Sequence, residues 1–194
     1  LVCWLQINRS IMASIIKVNE YKDFGNNAIM TSDGAGVITI NAAAMKNTPA
    51  FMVLNDSAFS VPNSANTAVT FDTEIYDTDS AVVSGLFTCP AGLAGKYFFT
   101  TNAGLDTASD VDEVVLALSI NGQTSLGSNA GDIVCANYHH DGTQVTQYIQ
   151  SVSAVFNLSV SDTVGVRMFQ NSGGAVNTAV DGRCTFSGYK LIGA

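Results

Sequence analysis

The two histidines of the chain stand side by side, at His139 and His140, and Asp141 follows them. Imidazole and carboxylate groups are common metal ligands, so this run has the residue types of a metal site. Neighbouring residues of a strand point to opposite faces, however, so two adjacent histidines of a regular strand cannot bind one ion. We interpret the run as a strand end that leads into a turn at Asp141 and Gly142.

The densest acidic cluster consists of Asp110, Asp112 and Glu113, in a loop before an apolar run. Oxygen ligands on a loop can hold calcium, which makes these three residues the calcium candidates of the chain. Their sequence, DVDEV, lacks the ordered ligand spacing and the central glycine of a calcium-binding loop. We therefore expect solvated charge with no metal and no cofactor, and calcium at these three residues is the alternative.

The sequence contains no recognisable catalytic constellation. A serine or threonine nucleophile needs a base within hydrogen-bonding distance, and the imidazoles are confined to the two adjacent histidines. A pair of carboxylates for glycoside hydrolysis could come from Asp72, Glu74, Asp77 and Asp79. In the alternating sequence FDTEIYD, however, Asp72 and Glu74 share the ordinary outward face of a strand. We predict no catalytic residue and no enzymatic activity.

The composition favours assembly and argues against nucleic-acid binding. Of 194 residues, 47% are hydrophobic and only 12% are charged, against roughly 25% charged residues in an ordinary soluble domain. So few charges do little to keep β-rich surfaces apart. The net charge is −8, with 8 basic and 16 acidic residues and no basic cluster, which argues against a nucleic-acid partner. No segment reaches the ~20 apolar residues of a membrane span, so we expect no membrane insertion.

The four cysteines are Cys3, Cys89, Cys135 and Cys184, with no CxxC pair and no histidine at ligand spacing. Four cysteines allow three pairings, among which the sequence does not choose. We expect buried free thiols on strands, because free cysteine behaves as a small hydrophobic residue. Disulfides stay open as the alternative.

Three regions follow one another along the chain. Residues 1–11 contain the one tryptophan and precede Met12, which has the context of a translation start, so we expect read-through or cloning residues there. Residues 12–48 carry short β-rich runs between turn sequences, and such runs bury too little surface to be stable alone. We predict an attachment arm over 12–48 and one folded domain over 49–194.

The predicted domain is all-β. At least eight β-like segments recur after residue 48 with Gly, Asn and Asp turns between them, and helical periodicity is missing almost throughout. In VVLALSING, residues 114–122, large apolar residues alternate with smaller ones and an Asn-Gly turn follows. This pattern predicts a two-sheet sandwich or jelly roll.

Four segments occur in an order that resembles the C1q-like (C1q/tumour-necrosis-factor) domain. They are FDTEIYD at 71–77, GLFTCPAGLAGKYFFTT at 85–101, VVLALSINGQ at 114–123 and CTFSGYKL at 184–191. The positions that match the family's core signature are Phe71, Asp77, Phe87, Gly95, Tyr97 and Phe99. The turn between Phe87 and Gly95 carries extra residues, which indicates a divergent member.

This resemblance implies a C1q/TNF-like jelly-roll sandwich of about ten strands that assembles as a homotrimer. It implies that the residues of the core or the trimer contact are Phe71, Phe87, Tyr97, Phe99, Leu116, Leu118, Phe186 and Leu191. Since side chains alternate along a strand, we expect Phe98 on the face opposite Tyr97 and Phe99, directed towards the surface or a partner subunit.

The arm carries a second resemblance. Its sequence IIKVNEYKDFGNNAIMTSDGAGVIT, residues 15–39, is similar to the start of structural proteins of marine bacteriophages, in which a short β-arm attaches a trimeric knob. Together the two resemblances imply a virion structural protein, a tail fibre or a capsid decoration, on the particle surface. Its partners would be other virion proteins through the arm and a host-surface glycan or protein through loops at 102–112, 121–131 and 170–182. A secreted C1q-like carbohydrate-binding or adhesive module is the alternative.

Overall fold

The computed structural model describes residues 19–41, 45–108, 113–124, 133–139 and 145–192, without the side chains of 107–108, 133, 135–139 and 145–148. Residues 1–11 of the predicted organisation lie outside these ranges. The described residues form sixteen strands in antiparallel sheets and no α-helix, which confirms the predicted all-β fold. Among them there is accordingly no helix long and apolar enough to cross a membrane. The chain divides into two compact units, Leu1–Ala42 and Ala43–Ala194.

The first unit contains a three-stranded antiparallel sheet. Its strands are β1 (Glu20–Lys22), β2 (Ala28–Ser32) and β3 (Ile38–Ile40), paired in chain order. The Asp33 carboxylate accepts the backbone N–H of Ala35 at 2.7 Å and closes the second turn. No described residue of this unit is buried, so the sheet has no core of its own.

The described residues of the second unit form thirteen strands, against the roughly ten expected of the jelly roll. Four of them are only two residues long, which accounts for the difference. The strands are β4 (Ala50–Leu54), β5 (Ser60–Val61), β6 (Thr67–Ala68), β7 (Thr73–Asp77), β8 (Val82–Val83), β9 (Leu86–Thr88), β10 (Gly95–Ala108), β11 (Glu113–Ile120), β12 (Ile133–His139), β13 (Val145–Leu158), β14 (Thr163–Gln170), β15 (Val176–Asn177) and β16 (Thr185–Lys190).

These strands build two main sheets. One has the order β13-β10-β16-β4-β7, and the other has the order β12-β11-β14-β9-β8 with β6 beside β14. Strands β5 and β15 form a small separate ribbon. Most neighbours are distant in sequence, as in a jelly roll, and side chains of both main sheets meet in one hydrophobic core.

Aromatic rings fill the centre of that core. Phe51 packs against Phe87 and Phe186, with ring centroids 5.5 Å and 4.9 Å apart. Gly188 leaves room for the rings of Phe99 and Phe51, since a Cβ there would lie 2.5 Å from Phe99 Cδ1 and 3.0 Å from Phe51 Cε1. Seven of the residues predicted for the core or the trimer contact are buried: Phe71, Phe87, Tyr97, Phe99, Leu116, Leu118 and Phe186. The eighth, Leu191, follows the end of β16 and is only half-buried.

Candidate functional site

The outward face of the five-stranded sheet has no charged side chain across its centre. On β10, Phe98, Thr100 and Asn102 point outward, because the residues between them are buried in the core. The antiparallel register places the outward residues of the other four strands beside them in rows. We call this surface the five-strand face; its residues are Val155, Phe98, Tyr189, Ala50, Ser153, Thr100, Ser187, Met52, Tyr76, Ser151, Asn102, Thr185 and Leu54.

The first row of the five-strand face is apolar. Val155, Phe98, Tyr189 and Ala50 follow one another across β13, β10, β16 and β4. The rings of Phe98 and Tyr189 are in contact, with centroids 5.5 Å apart. Val155 is 54% exposed and Tyr189 is 39% exposed. Contiguous exposed apolar side chains of this kind are typical of a protein contact surface.

The next rows hold hydroxyl and amide groups that already pair with one another. The hydroxyls of Thr100 and Ser153 lie 2.8 Å apart. The Ser151 hydroxyl donates to Asn102 Oδ1 at 2.6 Å. These groups are neutral and have partners, so a second surface could cover them without desolvating a charge.

Sequence reasoning located Phe98 on this face and missed most of its neighbours. The eight predicted core or trimer residues lie inside the subunit or at its end, so they support the five-strand face and do not form it. Alternation along the strands could have located two of them. Val155 precedes the buried Phe156 and Tyr189 precedes the buried Lys190, so Val155 and Tyr189 point to the outward side of the sheet.

The turn TCPAGLA, residues 88–94, supplies backbone carbonyls to two polar groups of the core. The carbonyl of Leu93 accepts the Tyr97 hydroxyl at 2.5 Å, and that of Ala94 accepts the Lys190 ammonium at 3.1 Å. Tyr97 and Lys190 are buried, so their polar atoms would otherwise lack partners. Burial also raises the pKa of the Tyr97 hydroxyl, which stays protonated. The extra residues of this turn therefore complete the core.

Two of the four cysteines can be described, and they are buried free thiols, as predicted. Cys89 and Cys184 lie in the core, and burial raises the pKa of each thiol. Protonated thiols without solvent access are poor nucleophiles. Cys3 and the side chain of Cys135 lie outside the described residues.

The metal candidates lie mostly outside the described residues. Asp110, Asp112, His140 and Asp141 are not described, and neither is the side chain of His139. Glu113 begins β11, and its backbone N–H donates to the Asn171 side chain at 2.7 Å. In the part of the chain that the structure describes, no three His, Cys, Asp or Glu side chains are grouped to hold a metal ion. Calcium binding stays an untested prediction.

Two carboxylates of FDTEIYD, those of Asp72 and Asp77, close turns. Asp72 accepts the backbone N–H groups of Asp56 at 2.8 Å and Ser57 at 2.9 Å, and these hydrogen bonds, the Asp56 bond first, lower the pKa of its carboxyl. Strand β7 begins after it, at Thr73, so Asp72 does not share an outward strand face as alternation predicted. Asp77 likewise accepts a backbone N–H at 2.7 Å. These hydrogen bonds give the carboxylates structural roles in the turns.

The three predicted contact loops are partly strands. Residues 102–108 belong to β10, because they continue its pairing with β13 as far as Ala108. Residues 121–124 form a turn, and the following part of that loop lies outside the described residues. In the segment 170–182, Val176 and Asn177 pair with β5.

The fold and the five-strand face together define a class of protein. It is a two-sheet antiparallel jelly roll with an aromatic core and with one sheet face whose central rows carry no charge.

Residues 50–191 match the C1q domain family, and the chain belongs to this family. Domains of the C1q/TNF fold commonly form trimers and are typically non-enzymatic. The predicted C1q/TNF-like jelly roll is therefore confirmed.

Two solved structures illustrate the similarity. The globular domain of zebrafish complement 1qA protein is 20% identical, with 74% of this chain and 98% of that chain covered and a TM-score of 0.51. Eiger TNF from S. frugiperda is 13% identical, with 75% of this chain and 93% of that chain covered and a TM-score of 0.51. At these identities the likeness concerns the fold. A comparison with curated proteins found no match.

Proposed function

We propose that the chain forms a homotrimeric knob in which the five-strand faces of three subunits meet around a three-fold axis. The observation that carries this proposal is the absence of charge from the central rows of that face together with its exposed apolar row. Fully burying a Val, Phe or comparable side chain contributes roughly 1.5–3 kcal/mol, so the apolar row of each subunit supplies a substantial driving force for association.

The polar rows fit the same role. The pairs Thr100–Ser153 and Asn102–Ser151 enter the interface with their hydrogen bonds intact. Because these central rows carry no charge, no like charges meet there when three copies of the surface converge, a requirement that any symmetric interface has to satisfy.

The knob works in a virion, on the particle surface, as a tail fibre or a capsid decoration of a bacteriophage. This part of the proposal is supported by the separate three-stranded unit at residues 19–41, which has no core of its own and suits an attachment arm that binds other virion proteins. The knob contacts a host-surface glycan or protein. Assembly and recognition of this kind need no catalytic residue and no resident cofactor.

The trimer is tested by placing a charge on the five-strand face. We expect the wild-type protein to sediment at micromolar concentration with three times the 20.3 kDa mass of the chain. Val155→Glu buries an unpaired carboxylate at each contact and should shift the protein to monomer. Val83→Glu is the matched control, because Val83 is 74% exposed on the other sheet. A monomeric wild type, or equal behaviour of the two variants, contradicts the proposal.

The virion role is tested by quantitative mass spectrometry of purified particles. We expect the protein in the particles, with a copy number near that of the major capsid protein for a decoration and a few copies for a fibre. Recovery from a secreted fraction with none in particles would instead support a secreted carbohydrate-binding or adhesive module.

A further inference from the structure

A cavity of about 280 Å³ opens on the outer side of the six-stranded sheet, away from the five-strand face. We call it the hairpin cavity, because the β8–β9 hairpin forms one wall. The segment at residues 68–70 forms another wall, and β14 lies beneath. Its volume is close to the lower end of small-molecule sites, which begin at roughly 300 Å³.

The wall and the floor of the hairpin cavity are apolar and firmly placed. Ser84 and Gly85 have φ values of 50° and 79°, as in the tight turns that close two-residue hairpins. A Cβ at Gly85 would overlap the Phe71 ring, so the hairpin tip packs directly on the core. On β14, Gly165 leaves the sheet surface recessed, since a Cβ there would lie 3.2 Å from Leu86 Cδ1. The cavity therefore exists because two glycines stand where side chains would fill it or displace its wall.

Exposed apolar side chains stand at the rim. Val83 is 74% exposed and Leu86 is 45% exposed, and these two residues belong to the hairpin that lines the cavity. An apolar ligand body in the cavity would cover these side chains and remove their surface from water, which is favourable.

One cationic side chain, Arg167, lines the same cavity and is held in place. Its Nε donates to Asn66 Oδ1 at 3.2 Å and its Nη2 donates to the Asn66 carbonyl at 3.4 Å. Asn66 is itself fixed, because its Nδ2 donates to the Thr124 carbonyl at 2.6 Å. The guanidinium is thus pre-organised by neutral partners, and three of its five N–H donors stay unused by them.

The charge of Arg167 also has no acidic counterpart among the described residues. The ion pairs found there join Lys22 to Glu20 and Arg183 to Asp181. The chain has a net charge of −8 and only eight basic residues, and one of these, Arg167, is held by amide oxygens beside an apolar cavity. A guanidinium binds a carboxylate with two parallel N–H donors, so a ligand carboxylate is the group that suits the unused donors of Arg167.

We propose that the hairpin cavity binds a small organic carboxylate, with its apolar body against Val83, Leu86 and Gly165 and its carboxylate on Arg167. The volume admits a medium-length alkyl chain or a single aromatic ring. The site lies on the sheet opposite the five-strand face, so binding does not depend on the proposed trimer or on the virion role.

The experiment titrates sodium octanoate into the ¹⁵N-labelled chain of 194 residues and follows the backbone amides by NMR. The glycine amides of Gly85 and Gly122, which line the cavity, resonate in a distinctive region and report on it. We expect these signals to shift saturably with octanoate and much less with octan-1-ol, which has the same chain without the carboxylate. No saturable shift at millimolar octanoate would overturn the proposal, and so would equal shifts with the two compounds.

Three variants locate the ligand. Arg167→Gln removes the charge and should weaken octanoate binding about tenfold or more. Gly165→Val fills the cavity and should abolish binding, with its thermal melting measured to show that it is folded. Arg183→Gln is the control, since Arg183 pairs with Asp181 outside the cavity lining. Unchanged affinity in Arg167→Gln, equal loss in Arg183→Gln, or shifts confined to the five-strand face would each overturn the proposal.

Discussion

Two buried polar groups depend on hydrogen bonds to one turn. The aromatic cluster is interrupted by the Tyr97 hydroxyl and the Lys190 ammonium, and each finds a carbonyl of the turn at 88–94. Leaving a buried polar group without a partner costs about 1–3 kcal/mol, so a shorter turn would weaken the domain even with every ring in place. The same turn contains Cys89, whose Sγ lies 3.8 Å from the Tyr97 hydroxyl.

The buried thiols are expected to make the free energy of unfolding depend on pH in the alkaline range. Burial raises the pKa of Cys89 and of Cys184, whereas an unfolded cysteine ionises near a pH of about 8.5. A raised folded-state pKa means that the contribution is complete below the unfolded pKa and is lost as pH rises through the folded pKa. We therefore expect the free energy of unfolding to fall as the pH rises above about 8.5, by at most about 1.4 kcal/mol per thiol for each pH unit.

Urea unfolding under reducing conditions, at one fixed protein concentration, measures this dependence. Cys184→Ala removes one of the two thiols and should flatten the slope, while the profile below pH 8 keeps its shape. An equally steep slope in the variant would show that other groups cause the dependence.

The ends of strands are tied down by side chains from neighbouring turns. Asn121, at the end of β11, donates to Asp162 Oδ1 at 2.9 Å and accepts the backbone N–H of Thr163 at 2.8 Å. The Asn121 bond is the main reason why the pKa of the Asp162 carboxyl is lowered. The hydrogen bonds of Asn121 thus hold the start of β14 at Thr163. Gln170 is the last residue of that strand.

Gln170 is buried, and both the nitrogen and the oxygen of its side-chain amide make hydrogen bonds. Its Nε2 donates to the carbonyls of Val61 at 3.0 Å and Gly174 at 2.8 Å, and its Oε1 accepts the N–H of Ser172 at 2.7 Å. Gln170→Leu removes the three hydrogen bonds that these backbone groups make with its side chain and should lower the free energy of unfolding by about 2 kcal/mol or more. Chemical denaturation measures the change. Ser172→Ala is the control, since it removes one exposed hydrogen bond to Gly174 and should change stability by less than about 0.5 kcal/mol.

The molecule as a whole consists of two units that differ in how they are stabilised. The cluster of buried apolar residues runs from Phe51 to Phe186 and lies entirely in the second unit. The described part of the first unit, residues 19–41, has a regular sheet and no buried residue. Cooperative folding is therefore expected from the second unit alone.

A truncated protein tests this division. Residues 49–194 should fold alone, with a melting temperature within a few degrees of the full chain and the same number of subunits. Residues 12–48 alone should show no cooperative transition, because an isolated small sheet is marginal in water. Circular dichroism melts and sedimentation measure the two fragments. Loss of the cooperative melt in residues 49–194 would mean that the arm contributes to the core.

Much of the fold could be predicted before any coordinates. Alternation in residues 114–120 identifies β11 and its apolar side, and the Asn-Gly pair after it adopts the positive φ values of a tight turn. The aromatic and glycine positions of residues 71–99 carry enough of the family pattern to name the jelly roll and its core. These features are local, because a side chain's direction and a turn's geometry follow from neighbouring residues.

The surfaces could not be predicted in the same way, because they depend on which distant strands become neighbours. Phe98 is placed on the outward side by alternation, but Val155 and Tyr189 join it only through the pairing of β10 with β13 and β16. Arg167 meets Asn66 across 101 residues of sequence, and the hairpin cavity appears only when the β8–β9 hairpin and residues 68–70 come together beside β14. The period of two along a strand determines its two faces, whereas long-range register determines what each face lies beside.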